Sequence, residues 1–170
     1  MPNWCENELV VKGKREEVDA FIKKAKGRNG ALDMNKFIPY PTEYKKMDKV
    51  AKEYEKAHPN DWENIPKDGY NQGGYEWCNE NWGTKWNFCE VGMSKPDDYK
   101  NGNRRVEYAF ETAWSPPMPV IKAMSKKFPN LSFTLKYYEG GMAFSGRVVF
   151  LGGEKIEEKH NDDYRGGRGG

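Results

Sequence analysis

The amino-acid sequence predicts an α+β fold, in which two helices pack on one face of an antiparallel sheet. Segments with the two-residue alternation of strands and segments with helical spacing follow one another as strand, helix, strand, strand, helix, strand. Aromatic residues make up 14% of the chain, which argues against disorder and supplies large rings for a core. The turn sequence Glu-Gly-Gly-Met, at 139–142, favours a hairpin near the carboxyl end.

The first half of this pattern is a strand, a helix and an insertion. Residues 4–12 alternate as a strand that ends at Gly13, and residues 14–26 carry an apolar stripe at i, i+3, i+4 and i+7. The block from about 30 to 75 is predicted to be an insertion that packs loosely on the main body. It holds a charged helix over 42–57, followed by loop composition rich in Gly, Pro, Asn and Asp.

A short helix is predicted over 76–86, with a break near Gly83, and a strand over 87–93. If the helix continued, Trp82 and Trp86 would share one face, and so would Asn81 and Lys85, because residues four apart are neighbours on a helix. Residues 94–104 are predicted to be a long turn.

The clearest strand is 104–114, where apolar and polar residues alternate and Trp114 is predicted to face the core. Ser115 and Pro116 are predicted to be the N-cap and first residue of a second helix, since these residue types favour those positions.

Residues 131–138 and 143–151 are predicted to be a strand and its hairpin partner. Without the insertion the order is βαββαβ, the ferredoxin-like pattern, with helices on one face and one extra C-terminal hairpin strand. The sequence thus predicts a single ferredoxin-like domain over 1–152. Residues 153–170 are charged and then glycine-rich, and are predicted to be a disordered tail.

Composition excludes several classes of protein. Lys+Arg number 28 against 26 Asp+Glu, so the net charge of +2 excludes a histone-like or polybasic mode of binding. The sequence has neither a membrane-length apolar window nor a signal peptide, and a cytosolic protein without membrane partners is expected. Cys5, Cys78 and Cys89 lack CxxC spacing, so neither a disulfide framework nor a metal site is predicted. No GxGxxG or P-loop motif is present, and no cofactor is predicted.

Four segments carry a resemblance to a known family. They are MPNWCEN at 1–7, NWGTKWN at 81–87, FETAWSPP at 110–117 and YYEGGMAFSG at 137–146. Together they resemble the YubB ferredoxin-like domain family, small proteins carried by phages and plasmids, in the same order over roughly residues 1–152. The resemblance implies a ferredoxin-like fold and a mobile-element origin, and it implies no catalytic residues.

The candidate ligand site is rich in tryptophan. Three of the six tryptophans fall within ten residues, among Asn, Thr and Lys side chains. Indoles stack on nucleobases, asparagine amides bond base edges, and lysine meets phosphate. The predicted ligand-binding residues are Trp4, Asn7, Trp77, Asn81, Trp82, Thr84, Lys85 and Trp86. The alternative is a core built from tryptophan, with each indole N–H paired internally.

A carboxylate cluster is the second candidate site. Glu6 and Glu8 share one face of the first strand, and Glu107 and Glu111 share one face of the strand that should pair with it. If the two faces coincide, the carboxylates could hold Mg²⁺ for phosphoryl chemistry. The alternative is the solvated face of an open sheet.

The sequence favours a non-enzymatic binding module of a mobile element, which counters host defence by binding a nucleotide-like ligand or a host protein. The alternative is a metal-dependent phosphodiesterase or nucleotide hydrolase that uses Glu6, Glu8 and Glu111. Weak RNA contact is the most that the RGGRGG end, at 165–170, would add. A third reading is a protein inhibitor that presents its sheet edge or its insertion.

Overall fold

The computed structural model describes residues 2–28 and 30–162. The strands are β1 (Trp4–Lys14), β2 (Cys89–Met93), β3 (Asp97–Tyr99), β4 (Asn103–Ala113), β5 (Ser132–Glu139), β6 (Phe144–Leu151) and β7 (Glu154–Asn161). The helices are α1 (Arg15–Ala25), α2 (Thr42–Ala57), α3 (Gly74–Trp82) and α4 (Met118–Lys127). None of the helices within the described ranges is both long and apolar enough to cross a membrane.

All the strands join one antiparallel sheet in the order β2-β4-β1-β5-β6-β7, and β3 extends the β2 edge by pairing with β4. The four neighbouring strands β2-β4-β1-β5, together with α1 and α4, have the ferredoxin-like arrangement, so the predicted fold class is confirmed. The predicted pairing of the first strand with the strand beginning near residue 104 is also confirmed, because β1 pairs with β4 along its whole length.

The core lies between the sheet and the helices. Alternate residues of β1 and β4 are buried on this inner face, as their sequence alternation predicts. Phe110, for example, is buried and packs edge-on against Phe88, with ring centroids 4.7 Å apart. The outward residues of the same strands, including Glu6 and Glu8, form the opposite, open face.

The segment predicted to be an insertion contains the expected charged helix, since α2 spans Thr42–Ala57. Its first part is not loosely packed, however. Leu32 and Met34 are buried in the main core cluster, and the backbone N–H of Met34 donates to the Asn87 side chain at 3.0 Å. Three single-turn 3-10 helices, at Met34–Lys36, Trp62–Asn64 and Tyr70–Gln72, make up the regular structure of the rest.

The prediction of disorder from residue 153 is wrong for β7, which pairs with β6. All eight side chains of β7 are exposed, so no apolar alternation marks the strand in the sequence. Backbone hydrogen bonds form it, and the Tyr137 hydroxyl reaches His160 Nδ1 at 3.0 Å. Residues 163–170 of the predicted tail lie outside the described residues.

Removal of residues 153–170 is expected to lower the free energy of unfolding by about 1–3 kcal/mol, because the ladder between β6 and β7 is lost. The deletion also removes the Gly153 N–H that donates to buried Ser125 Oγ at 3.0 Å. Urea denaturation would measure the effect, with a chain ending at Asp162 as the control. Equal stability of the two shortened chains would contradict the prediction.

Candidate binding site

The eight predicted ligand-binding residues do not form one site. Four are interior or packed against the core, namely Asn7, Trp77, Trp82 and Thr84. Asn81 is half-buried, and its side-chain amide donates to the Trp77 carbonyl at 2.9 Å. Trp4, Lys85 and Trp86 reach the surface of the molecule to different degrees. The structure thus divides the predicted set into residues packed in the interior and residues at the surface.

Trp82 and Trp77, two of the predicted ligand-binding residues, pack against each other beside the core. Trp82 is only 5% exposed, and its indole N–H donates to the Ile38 carbonyl at 2.8 Å. The Trp77 ring packs edge-on against Trp82 at 5.5 Å, and Tyr40 contacts both. This packing, with an internally paired N–H on Trp82, is the arrangement that the alternative of a tryptophan core describes.

The predicted polar groups Asn7 and Thr84 are also in the interior. The Asn7 amide donates to the Cys5 carbonyl at 2.8 Å and to Thr112 Oγ1 at 2.9 Å. The Thr84 hydroxyl donates to the Ala113 carbonyl at 2.8 Å. The Asn7 side chain therefore links β1 to the Thr112 side chain of β4, and the Thr84 hydroxyl holds the end of the β4 backbone. Both side chains are almost fully buried.

Gly83 causes the division between Trp82 and Trp86. It has φ of 77°, in the left-handed region, and ends α3 directly after Trp82. The helix break near Gly83 is confirmed, but the helix does not resume after it. The predicted shared helix faces are therefore wrong, for Trp82 with Trp86 and for Asn81 with Lys85.

An aromatic patch, defined as Trp4, Lys85, Trp86 and Trp114, forms the surface part. The Trp4 and Trp86 ring centroids lie 6.0 Å apart. The Lys85 ammonium lies 4.4 Å from the Trp86 centroid and 5.2 Å from that of Trp114, within cation–π range. Trp86 is 38% exposed and Trp114 is 62% exposed, so two indoles present area to an incoming ligand.

Trp114 is in this patch because it does not continue the alternation of β4. The prediction that it faces the core is wrong. Its φ is 75°, a value unusual for a residue with a side chain, and its backbone N–H donates to the Asn3 carbonyl at 2.9 Å. β4 ends at Ala113, and the indole turns out to solvent.

The backbone that carries Lys85 and Trp86 is anchored on both sides. The Ser115 hydroxyl donates to the Gly83 carbonyl at 2.6 Å. Ser115 is therefore not the predicted N-cap, and α4 begins at Met118, two residues after the predicted first residue. On the other side, the Asn87 amide donates to Asp33 Oδ1 at 2.8 Å. The patch is thus presented by a short segment held to both β4 and the region after α1.

Acid is expected to weaken the hydrogen bond from Asn87 to Asp33, which anchors this segment. Partial burial pushes the pKa of Asp33 up, but hydrogen bonds from Asn87 and Asn35 outweigh it and hold the pKa below its usual value. A lowered folded-state pKa contributes stability above the unfolded pKa of about 3.9, and that stability is lost as the pH falls through the folded value. The free energy of unfolding should therefore fall between about pH 5 and 3 more steeply in the native chain than in Asp33→Asn. Parallel pH profiles from urea titrations would contradict this.

A second feature, the sheet groove, lies on the open face beside the aromatic patch. It encloses about 500 Å³, and its outward-facing charged and phenolic side chains are Glu6, Glu8, Glu90, Glu111, Lys136 and Tyr138. The register places Glu6 opposite Glu111 and Glu8 opposite Lys136, so the two acidic faces do coincide, which is the condition set for a carboxylate cluster. The groove carries four carboxylates against one ammonium among the described residues that line it.

The carboxylates of the groove do not converge as metal ligands do. Within residues 2–28 and 30–162, no three His, Cys, Asp or Glu side chains are grouped so as to hold a metal ion. The cysteines are also set for a structural role, since burial raises the pKa of the Cys5 thiol to about 12 and that of Cys78 to about 11. The groove is therefore an electrostatic feature of the sheet, next to the apolar indoles.

Fold and site together define a ferredoxin-like α+β domain with an open, acidic sheet face and an exposed aromatic patch. Residues 94–167 match a family model described as the ferredoxin-like domain in Api92-like protein. The whole chain is similar in structure to the protein Api92 from Yersinia pseudotuberculosis. The TM-score is 0.56 at 10% sequence identity, and the match covers 95% of this chain and 98% of the other. At that identity the likeness shows the fold alone. Among curated proteins, no sequence matches this chain.

Sequence reasoning missed Trp114 as a site residue. The signal available was the proline pair at 116–117, which ends regular strand pairing nearby and makes an extension of the alternation to Trp114 unsafe. Lys136 of the sheet groove carried no signal of its own, because a lone lysine on a strand is ordinary. Its position opposite Glu8 depends on the register of β1 with β5.

Proposed function

We propose that this chain is a non-enzymatic binding module that holds a nucleotide-like ligand by stacking its base on the aromatic patch. The observation that carries the proposal is the convergence of Trp86, Trp114 and the Lys85 ammonium on one surface. Base stacking on an exposed indole contributes about 1–3 kcal/mol per base. Lys85 would meet a phosphate or another anionic group of the same ligand.

The anchoring of the patch supports the proposal. Indoles held by a fixed backbone lose little freedom when a ligand stacks on them, so less binding free energy is lost to ordering. The hydrogen bonds from Ser115 and Asn87 on either side of Lys85 and Trp86 give that rigidity. The same exposed indoles would also suit a host protein, because tryptophan is enriched among residues that dominate protein interfaces.

The wider role follows from the sequence resemblance alone. On the four shared motifs we propose a member of the YubB ferredoxin-like family, encoded by a phage or plasmid and acting in the host cytosol. An accessory protein of this kind would counter host defence by removing a nucleotide-like signal or a host protein. The family-model match over 94–167 is consistent with this and assigns no activity.

Binding of adenosine monophosphate to the purified chain, followed by tryptophan fluorescence and calorimetry, tests the proposal. Trp86→Ala and Trp114→Ala are each expected to weaken binding by about fivefold to a hundredfold, the equivalent of one lost stacking contact. Lys85→Ala should weaken the binding of adenosine monophosphate more than the binding of adenosine.

Trp62→Ala is the matched control, because Trp62 is an equally exposed tryptophan, 68% exposed, in the 3-10 helix Trp62–Asn64. It should leave the affinity unchanged. An equal loss in all three tryptophan variants, or no binding by the native chain, would refute the proposed site. In that case, a host protein that co-purifies with the native chain but not with Trp114→Ala would indicate that the patch binds a protein.

A second candidate, a metal-dependent phosphodiesterase or nucleotide hydrolase, would require the groove carboxylates to draw together around Mg²⁺, because no three of them are grouped to hold a metal ion among the described residues. The observation in its favour is the register that sets Glu6 opposite Glu111, with Glu8 next on the same face. Mg²⁺-stimulated hydrolysis of cyclic or linear nucleotides, abolished by Glu8→Gln and by Glu111→Gln, would establish it. If the chain binds a nucleotide but does not hydrolyse it, the binding module remains the proposed function.

A further inference from the structure

The aromatic patch and the sheet groove are neighbours on one face of the sheet. Trp4 and Glu6 are consecutive outward residues of β1, and β4 mirrors them with Ala113 and Glu111 in the same two rows. Outward residues two apart on a strand are about 6.5–7 Å apart. Glu6, the first carboxylate of the groove, therefore lies within about one Debye length of Trp4, whose ring contacts Trp86, at physiological salt.

The two features carry opposite charges in unequal amount. Lys85 is the ammonium of the patch, and its contact with two indoles fixes it there. The described residues that line the groove supply four carboxylates, against which stands the ammonium of Lys136. A ligand stacked on Trp86 and Trp114 thus meets the Lys85 ammonium and, towards the centre of the sheet, the negative field of the groove.

We propose that this charge distribution sets the ligand class: a nucleoside or nucleoside monophosphate, and neither a polyphosphate nor a single-stranded nucleic acid. The inference rests on the proposed function of the aromatic patch. One phosphate pairs with Lys85, whereas each further phosphate adds charge that the groove repels. A nucleic-acid strand gains affinity from a series of cations along its backbone, and the groove supplies carboxylates in their place.

Glu8 and Glu111 are accordingly specificity residues. They act through the field at the groove and need not contact the ligand, and their carboxylates exclude the more highly charged competitor. The chain as a whole has a net charge of +2, so the exclusion is local to this face and is not a general repulsion of anions. High salt should weaken it, because the Debye length falls to about 3 Å at 1 M.

The test is a set of calorimetric titrations of the full chain at about 50 mM salt with adenosine, AMP, ADP, ATP and an eight-nucleotide oligothymidylate. AMP is expected to bind best, and ATP at least about tenfold more weakly. The double variant Glu8→Gln, Glu111→Gln should bring ATP to within about threefold of AMP, without changing the affinity for adenosine. Glu16→Gln with Glu43→Gln, which removes two exposed carboxylates on α1 and α2, is the control and should leave the order unchanged.

Each outcome is decisive. Tighter binding of ATP or of the oligonucleotide than of AMP would overturn the inference while leaving the aromatic patch in place as the binding site. An unchanged preference in the groove variant would also overturn it, since the carboxylates would then have no part in selection. If none of these ligands binds, adenosine included, the proposed function itself is refuted.

Discussion

Replacing Phe21 with alanine is expected to lower the free energy of unfolding by about 3–5 kcal/mol, the cost of deleting a buried aromatic side chain. Phe21 is fully buried on the inner side of α1. Its ring lies within 5.3–6.1 Å of four other rings, those of Phe37, Tyr108, Phe128 and Phe133. The variant therefore opens a cavity at the point where α1 and the sheet meet.

Urea denaturation followed by circular dichroism measures this loss. Val50→Ala is the control, because Val50 is an apolar helix residue of α2 that is 53% exposed. Its replacement should change the free energy of unfolding by less than about 0.5 kcal/mol. A loss below about 1.5 kcal/mol for Phe21→Ala would mean that the aromatic cluster is not the centre of the core.

Gly83→Val should destabilise the protein by about 2–5 kcal/mol, for two separable reasons. The residue has φ of 77°, which costs a side chain about 1–2 kcal/mol. A Cβ at this position would also lie 2.7 Å from Pro119 Cδ at the start of α4, and crowding of that kind costs about 1–3 kcal/mol. The change should in addition disturb Lys85 and Trp86, which Gly83 directs to the surface.

Gly102→Val separates the two reasons. Gly102 has φ of 69°, and a Cβ there would have no atom within 4 Å, so its replacement carries the backbone cost alone. Chemical denaturation of both variants is the measurement, and Gly83→Val should be the less stable by about 1–3 kcal/mol. Equal destabilisation would show that α4 moves away from Gly83 without cost.

Alternation and turn chemistry determine most of the fold, which is why the sequence predicts it. The elements β1, α1, β2, β4, α4 and β5 each carry a period, a cap or a turn signal of their own, and their order, βαββαβ, is sufficient for the ferredoxin-like pattern. β7 has no such signal, because all its side chains are exposed and it pairs with β6 mainly through backbone hydrogen bonds. β3 is three residues long, too short to show a period.

The site is less predictable because it depends on single residues that end an element. The left-handed backbone at Gly83 and Trp114 decides which indoles are buried and which are exposed. A periodic pattern cannot detect these positions, since it assumes that the element continues. The tryptophans between 77 and 86 therefore divide between core and surface, although their spacing suggests one group.

β7 also protects the protein against association. A strand at the end of a sheet exposes backbone groups that can pair with another chain, and charged side chains discourage that pairing. Without β7 the edge would be β6, where Val148, Val149 and Phe150 form an apolar run typical of aggregation-prone segments. We therefore expect a chain shortened to residue 152 to form intermolecular β-structure at concentrations where the full chain remains dispersed. The strand that contributes no side chain to the core thus determines whether the folded protein stays in solution.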